Sequence, residues 1–319
     1  MKSSHEVAYY FILSLLASSA AILCLVLIFF CRKKPKESEE SLPAAKIPAQ
    51  GYPLTDIDDA TEGFNHRRII GTGRLGTVYA GVLPSDQKPV AVKRIHPSLV
   101  LSNAGFGFTS ILKTLSSAQH PNVVPILGLC QAPGERIIVM EFVSAVSLDY
   151  YLHENSDGAS SLLDWSRRFR MQRQNRNLHG SGADRDDKLC ARVCDYGLSS
   201  LAPYEKRGLA GYVDDEHWRN GRGEACKESD VYGFGVVLLE LLSGRRADEG
   251  SLVRWALPLI KQTRFSELFD LRLVLPSDTR PLTRLAKVAS ACVSNSRKSR
   301  PTIVHVATIL NNLEIELCA

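Results

Sequence analysis

The sequence is 319 residues long, 45% hydrophobic and 23% charged, enough to bury a sizeable core and too apolar for a disordered or low-complexity chain. Its net charge of +5 is densest at Arg32, Lys33, Lys34 and Lys36, and no basic face interleaved with aromatics occurs elsewhere, so an anionic membrane surface is expected and nucleic acid is not. The eight cysteines (Cys24, Cys31, Cys130, Cys190, Cys194, Cys226, Cys292, Cys318) show no zinc-ligand spacing and read mostly as small buried hydrophobes.

Residues 8–31 are 24 positions without a charge, interrupted only by Ser14, Ser18 and Ser19. Such a run spans a bilayer as one helix. A cleaved signal peptide, with Ser18-Ser19-Ala20 as its small-residue site, is the competing reading. The apolar run continues past that site to Cys31, longer than a signal peptide's core, which favours a retained anchor. Only Lys2 precedes the span, so the basic flank is C-terminal and expected to be cytoplasmic, with residues 1–7 on the other side. Cys31 at the membrane edge is open to S-acylation or is one more apolar residue. Residues 32–51 are mostly Lys, Glu, Ser, Pro and Ala, which predicts a basic, flexible linker.

Globular structure is expected from Tyr52. Val78-Tyr79-Ala80 and Val90-Ala91-Val92 are short β-type runs separated by the turn-rich Leu83-Pro84-Ser85-Asp86, as in antiparallel strands, and residues 137–142 form a further strand candidate. Later the pattern becomes helical: residues 231–242 suit a buried helix, and residues 282–292 and 303–313 repeat at helical spacing. A β-rich front and a helical rear imply two lobes. Within the front, Gly71, Gly73 and Gly76 form a Gly-x-Gly-x-x-Gly run that leads into β-type residues, so it reads as a flap over a nucleotide rather than as the opening of a helix. Their missing Cβ atoms let backbone amides approach phosphate oxygens. Lys93, ending Val90-Ala91-Val92-Lys93, stands at the spacing of a phosphate-binding lysine.

Further motifs follow: Tyr52, Ala60-Thr61, Phe64 and Ile70-Gly71 before the loop, then His120-Pro121-Asn122-Val123-Val124, Leu163-Asp164-Trp165, Asp195-Tyr196-Gly197, Ser229-Asp230-Val231-Tyr232-Gly233-Phe234-Gly235 and Ser299-Arg300-Pro301-Thr302. Together they resemble the protein kinases, specifically the plant receptor-like kinase family, over residues 52–313. The resemblance implies an α+β, bilobal protein-kinase fold at residues 52–317, with a β-rich N-lobe (about 64–145) and a helical C-lobe (about 146–317), preceded by the single transmembrane helix. It implies ATP and Mg2+ as cofactors. Ile70, Gly71, Gly73, Gly76 and Val78 would cover ATP, Ala91 would touch adenine, Lys93 would hold phosphates, Met140-Glu141-Phe142-Val143 would form the hinge, and Asp195 would chelate Mg2+. Glu216 matches the acid ending the activation segment and Arg300 its salt-bridge partner. A single-pass protein of the plasma membrane with a cytoplasmic kinase-like domain is expected, with other receptor-like kinases or signalling proteins as partners.

The departures bear on catalysis. The family's strand lysine pairs with a glutamate on the next helix; in register with His120 that position is Ile111, and no Asp or Glu occurs between Asp86 and Glu135. Counted back from Asp195 without gaps, Asn175-Arg176-Asn177 takes the His-Arg-Asp place, His179 replaces the loop lysine and Gly182 the second magnesium ligand. An asparagine cannot accept a proton as a carboxylate does. In a second register the whole catalytic loop is deleted. In a third, Asp184-Arg185-Asp186-Asp187-Lys188 supplies Asp186 as base, but only the eight residues 187–194 would then separate it from Asp195, too few for two strands at roughly five residues each. Ser166 to Gln174 contains four arginines, Arg167, Arg168, Arg170 and Arg173, against a long buried helix there, and Leu209 stands in place of an activation-segment threonine. Three readings stay open: an ATP-binding pseudokinase acting as a membrane-anchored signalling scaffold, an active Ser/Thr kinase using Asp186, and a truncated product of a skipped or misread coding segment.

Overall fold

The computed structural model describes residues 49–101, 107–144, 147–154, 163–170, 191–201, 211–214, 216, 226–248 and 251–318. The transmembrane span expected at residues 8–31 lies outside them. Among the described residues no helix is long and apolar enough to cross a membrane.

The front half is a six-stranded sheet in the order β1-β5-β6-β4-β3-β2, built from β1 (Gln50–Gly51), β2 (Ile69–Thr72), β3 (Gly76–Val82), β4 (Pro89–Ile95), β5 (Ile126–Ala132) and β6 (Glu135–Glu141). All neighbours are antiparallel except β1, which lies parallel to β5 with Gln50 opposite Gly128 and Gly51 opposite Leu129. Alternation along β4 decides what each face carries. Val90 and Val92, both fully buried, join Tyr79, Ile137 and Val139 under helix α1 (Leu54–Ala60), which contributes Ile57 and Ala60. Ala91 and Lys93 point to the opposite face, shared with Ile138 and Met140 across the β4–β6 ladder.

That second face is covered by α3 (Phe108–Ser116), whose Phe108 and Leu112 are buried; the short α2 (Pro97–Leu101) precedes it. Gln50–Gly51 falls in the stretch expected as linker. Its backbone nonetheless pairs, because the edge of β5 offers main-chain partners that need no apolar side chain. Ala49 N–H donates to Ser116 Oγ at 3.2 Å and Tyr52 N–H to the Leu129 carbonyl at 2.9 Å, so the strap is tied to both α3 and β5.

The rear half packs around α5 (Lys227–Ser243), with α4 (Trp165–Arg170), α6 (Ser251–Lys261), α7 (Phe265–Leu268), α8 (Arg280–Cys292) and α9 (Ile303–Cys318). Val236, Leu238, Leu239 and Leu242 of α5 are fully buried, as its apolar run predicts. Close approach of α8 depends on Gly235, where an added Cβ would lie 2.6 Å from Cys292 Cβ. Charge does not keep α4 out of this core. Arg168 is 1% exposed, donates to the Leu163 carbonyl (2.9 Å), the Leu241 carbonyl (2.6 Å) and Asp270 Oδ2 (2.7 Å), and stacks on Trp165. Arg168 is tolerated there because each of its three guanidinium nitrogens has an acceptor, and α4 spans six residues, so the expectation against a long buried helix over residues 166–174 stands untested, with residues 171–174 outside the described residues.

Candidate functional site

The glycine run forms a tight hairpin at the start of β3: Gly73 N–H donates to the Gly76 carbonyl (3.0 Å) and Gly76 N–H to the Gly73 carbonyl (3.2 Å). The three glycines do different jobs. A Cβ on Gly76 would sit 1.9 Å from the Arg94 carbonyl oxygen, so Gly76 is needed for β3 to pair with β4. Around Gly71 and Gly73 nothing lies within 4 Å of such a Cβ, and neither has a positive φ. Packing and turn geometry do not demand glycine at those two positions, and the open space there leaves the backbone accessible to a ligand.

Below the loop, Val78 stands opposite Lys93, and Ala91 stands opposite Met140. Directly opposed residues share a face, so Val78, Ala91, Lys93 and Met140 line one surface; Ile70, on β2, is 51% exposed. Val143, just past β6, packs on the same cluster. Of the nucleotide residues expected from the sequence, Val78, Ala91, Lys93, Met140 and Val143 are thus brought to one face, while Glu141 stands opposite Val90 on the other.

Asp195 reaches this face from the rear half. Val193 bridges Val123 in parallel: Val124 N–H donates to the Val193 carbonyl (2.9 Å), Val193 N–H to the Asn122 carbonyl (2.7 Å), and the Asn122 amide to the Ala191 carbonyl (3.0 Å). The His120–Val124 motif therefore fixes the approach of the chain to Asp195. Beyond it, Tyr196 O–H donates to the Leu115 carbonyl of α3 (2.9 Å), and Gly197, at φ 69°, lies against Leu115, where a Cβ would come within 2.4 Å. Asp195 itself has φ 60°, a left-handed conformation that Asp tolerates. Its carboxylate forms an ion pair with Lys93. The Lys93 side chain is 5% exposed and that of Asp195 42%, so a buried ammonium meets a carboxylate that remains open to solvent.

Ile111 is half-buried on α3 and packs against the apolar cluster of this face. The carboxylate that meets Lys93 comes from the Asp-Tyr-Gly segment. Glu141 is held by Arg192, with both guanidinium–carboxylate contacts at 2.8 Å. These hydrogen bonds outweigh burial and hold the Glu141 carboxyl below its usual range. The hinge is thereby cross-braced to the strand leading to Asp195.

ATP fits the residues present: an open glycine loop, a buried lysine and an apolar sheet face for a base. For Mg2+ the described residues supply the Asp195 carboxylate, and Mg2+ is ordinarily held by one or two carboxylates plus phosphates. Among the described residues no three His, Cys, Asp or Glu gather as metal ligands. Asn177, His179, Gly182, Asp186 and Leu209 lie outside the described residues.

One pairing differs from expectation. Arg300 binds Asp214 (2.5 Å), which is 1% exposed, while Glu216 faces Arg297 (3.8 Å). Arg297 also reaches Asp214 (3.0 Å), and Ser229 O–H donates to it at 2.9 Å. Asp214 wins because it is the buried acid and takes both guanidiniums, whereas the Glu216 side chain is 35% exposed. The sequence offers three consecutive acids, Asp214, Asp215 and Glu216, and no signal to choose among them. Arg192 as partner of Glu141 and Tyr196 as anchor on α3 likewise have no signal in the sequence. Of the cysteines described, Cys130 and Cys292 are buried, Cys226 is intermediate and Cys194 is exposed.

Residues 64–310 match the family described as protein tyrosine and serine/threonine kinase. The serine/threonine-protein kinase-like protein CCR2 of Arabidopsis thaliana is 32% identical over 82% of this chain and 34% of its own length. The probable serine/threonine-protein kinase PBL7 of Arabidopsis thaliana is 32% identical over 84% of this chain and 78% of its own. With the phytosulfokine receptor 1 of the same plant the match spans 28% of the receptor, so the chain covers about a third or less of such receptors. Among solved structures, the pseudokinase domain of BIR2, an immune regulator of the RLK/Pelle family, superposes with a TM-score of 0.63 at 30% identity, over 83% of this chain and 86% of that one. The chain belongs to the protein tyrosine and serine/threonine kinase family and carries the kinase fold of its receptor-like kinase members.

Proposed function

We propose that the protein is a membrane-anchored, receptor-like pseudokinase: an ATP-binding signalling module that works by engaging other receptor-like kinases or signalling proteins at the plasma membrane. Residues 8–31 form its anchor, residues 32–51 its basic linker, and residues 52–317 its cytoplasmic kinase-like domain. Gly71 and Gly73 admit the triphosphate, Lys93 holds its oxygens, Ile70, Val78, Ala91 and Met140 enclose the base, the main chain at Glu141 and Val143 forms the hinge, and Asp195 carries Mg2+. When bound, the Mg2+ supplies charge neutralisation between phosphates.

The observation that carries this reading is the Lys93–Asp195 ion pair. The lysine that should be oriented by a helix glutamate has Ile111 there instead, and its carboxylate partner is the metal ligand itself. Phosphoryl transfer is mostly positioning and electrostatics. With Asn177 at the expected base position, both are impaired, while nucleotide binding needs only the residues that persist. Similarity to the BIR2 pseudokinase domain supports the same reading.

The test is transfer of radiolabel from γ-labelled ATP by the purified chain, with Asp195→Ala alongside. Absence of transfer in both proteins is expected. Turnover that Asp195→Ala abolishes would overturn impairment; if Asp186→Asn also abolishes it while Asp187→Asn does not, Asp186 is the base of an active Ser/Thr kinase.

A further inference from the structure

His96, directly after β4, makes contacts that none of the motifs accounts for. Its backbone N–H donates to the Leu75 carbonyl at 2.9 Å, and its ring Nε2 lies 3.0 Å from the Gly73 carbonyl oxygen. A carbonyl oxygen only accepts, so Nε2 carries the proton in this contact. Leu75, at the tip of the hairpin, is buried in the cluster that holds Ile95, Leu99 and Leu112. One residue therefore grips two carbonyls of the glycine-loop turn, those of Gly73 and Leu75, while the Leu75 side chain is sunk into the core.

The Gly73 carbonyl accepts from two donors, Gly76 N–H and His96 Nε2–H, which fills its acceptor capacity. A trans peptide is planar, so the Arg74 N–H in the same peptide unit points opposite to that carbonyl. Fixing the carbonyl on His96 thus fixes the direction of a backbone donor at the loop tip, and loop donors of this kind cradle phosphates.

We propose that His96 is a positioning residue that latches the glycine-loop turn and sets the orientation of its phosphate-facing amides, so that it controls how long a nucleotide is retained. The nucleotide half of this inference rests on the ATP-binding reading above; the latch does not. Because the bond joins β4 to the loop and not to ligand, it acts before nucleotide arrives.

The test uses the full chain with His96→Phe, which keeps a ring and removes the donor, and His96→Gln, whose side-chain amide restores one. Amide hydrogen exchange is measured without nucleotide, and release of a fluorescent ATP analogue is measured by stopped flow. In His96→Phe, exchange at Gly73 and Gly76 should rise about 3- to 10-fold, the scale of one lost hydrogen bond, with the β5–β6 amides unchanged. Analogue release should speed up by a similar factor, and His96→Gln should return both to within about two-fold of the parent. Unchanged exchange at the loop, acceleration spread across the sheet, failure of Gln to rescue, or faster exchange without faster release each overturns the proposal. If the parent chain binds no analogue, the ATP-binding reading fails, and loop exchange alone decides the latch.

Discussion

Two glycines three residues apart illustrate how differently identical side chains are constrained. Gly76→Ala places a Cβ against the Arg94 carbonyl oxygen, and urea unfolding should show a loss of about 2–3 kcal/mol, the cost of forcing an atom into a packed sheet. Gly73→Ala meets open space and should change stability by less than about 0.5 kcal/mol. If the loop binds ATP as proposed, the methyl crowds a phosphate, and ATP affinity measured by calorimetry should fall about ten-fold, equivalent to about 1.4 kcal/mol. Arg168 shows the opposite case, a charge held in the core. Burial and the hydrogen bonds from Arg272 and Arg168 act oppositely on Asp270; the bonds win and hold its carboxyl below the usual 3.8. A depressed folded value means the stabilisation is present above pH 3.8 and is lost as pH falls through the lower folded value. Arg168→Ala should cost about 3–5 kcal/mol, because it removes one partner of a buried pair. Asp270→Asn should flatten the acid limb of a pH–stability profile measured by denaturant midpoint.

Among the elements, those whose side chains carry a period are legible in the sequence. β3, β4 and β6 follow from runs of β-branched and apolar residues between turns, and α5, α8 and α9 from apolar positions at helical spacing. β1 carries no such signal, because a Gln-Gly pair has no pattern and its pairing is entirely main chain. Its dependence on one residue of β5 makes it testable: a Cβ on Gly128 would lie 2.3 Å from both the Gln50 carbonyl oxygen and the Tyr52 ring. Gly128→Ala should detach the strap, with faster amide exchange at Tyr52, whose N–H bonds the Leu129 carbonyl, and a loss of about 1–3 kcal/mol. Since the strap also holds Ser116 on α3, and α3 anchors Tyr196 through Leu115, the mobility of Tyr196 should rise too.

At the scale of the molecule, the site combines what motif spacing can place with what only folding reveals. Gly71, Lys93 and Asp195 are found by their sequence neighbours. The pairing of Lys93 with Asp195 joins residues 102 positions apart, and that of Arg300 with Asp214 joins residues 86 apart; neither follows from local pattern, because partner choice depends on which acid the folded chain brings within reach. If the nucleotide residues act together, Mg-ATP at about 100 times its Kd should stabilise the chain by about 2.7 kcal/mol, read as a rise in melting temperature. Lys93→Met should remove most of that rise; a chain with no cooperative transition would instead favour the truncated-product reading.

The parallel strap has a practical corollary for anyone cutting the gene. β5 is the penultimate strand of the sheet, and among the described strands Gln50–Gly51 is the one that pairs with its outer edge. A domain begun at Tyr52, the position at which sequence pattern first turns globular, would leave a row of unpaired N–H and C=O groups on an apolar strand, the template on which chains stick edge to edge. Begun at Ile47, where the compact unit starts, the same domain keeps its selvedge. A few residues with no hydrophobic signature thus decide whether the recombinant kinase-like domain stays dispersed or precipitates.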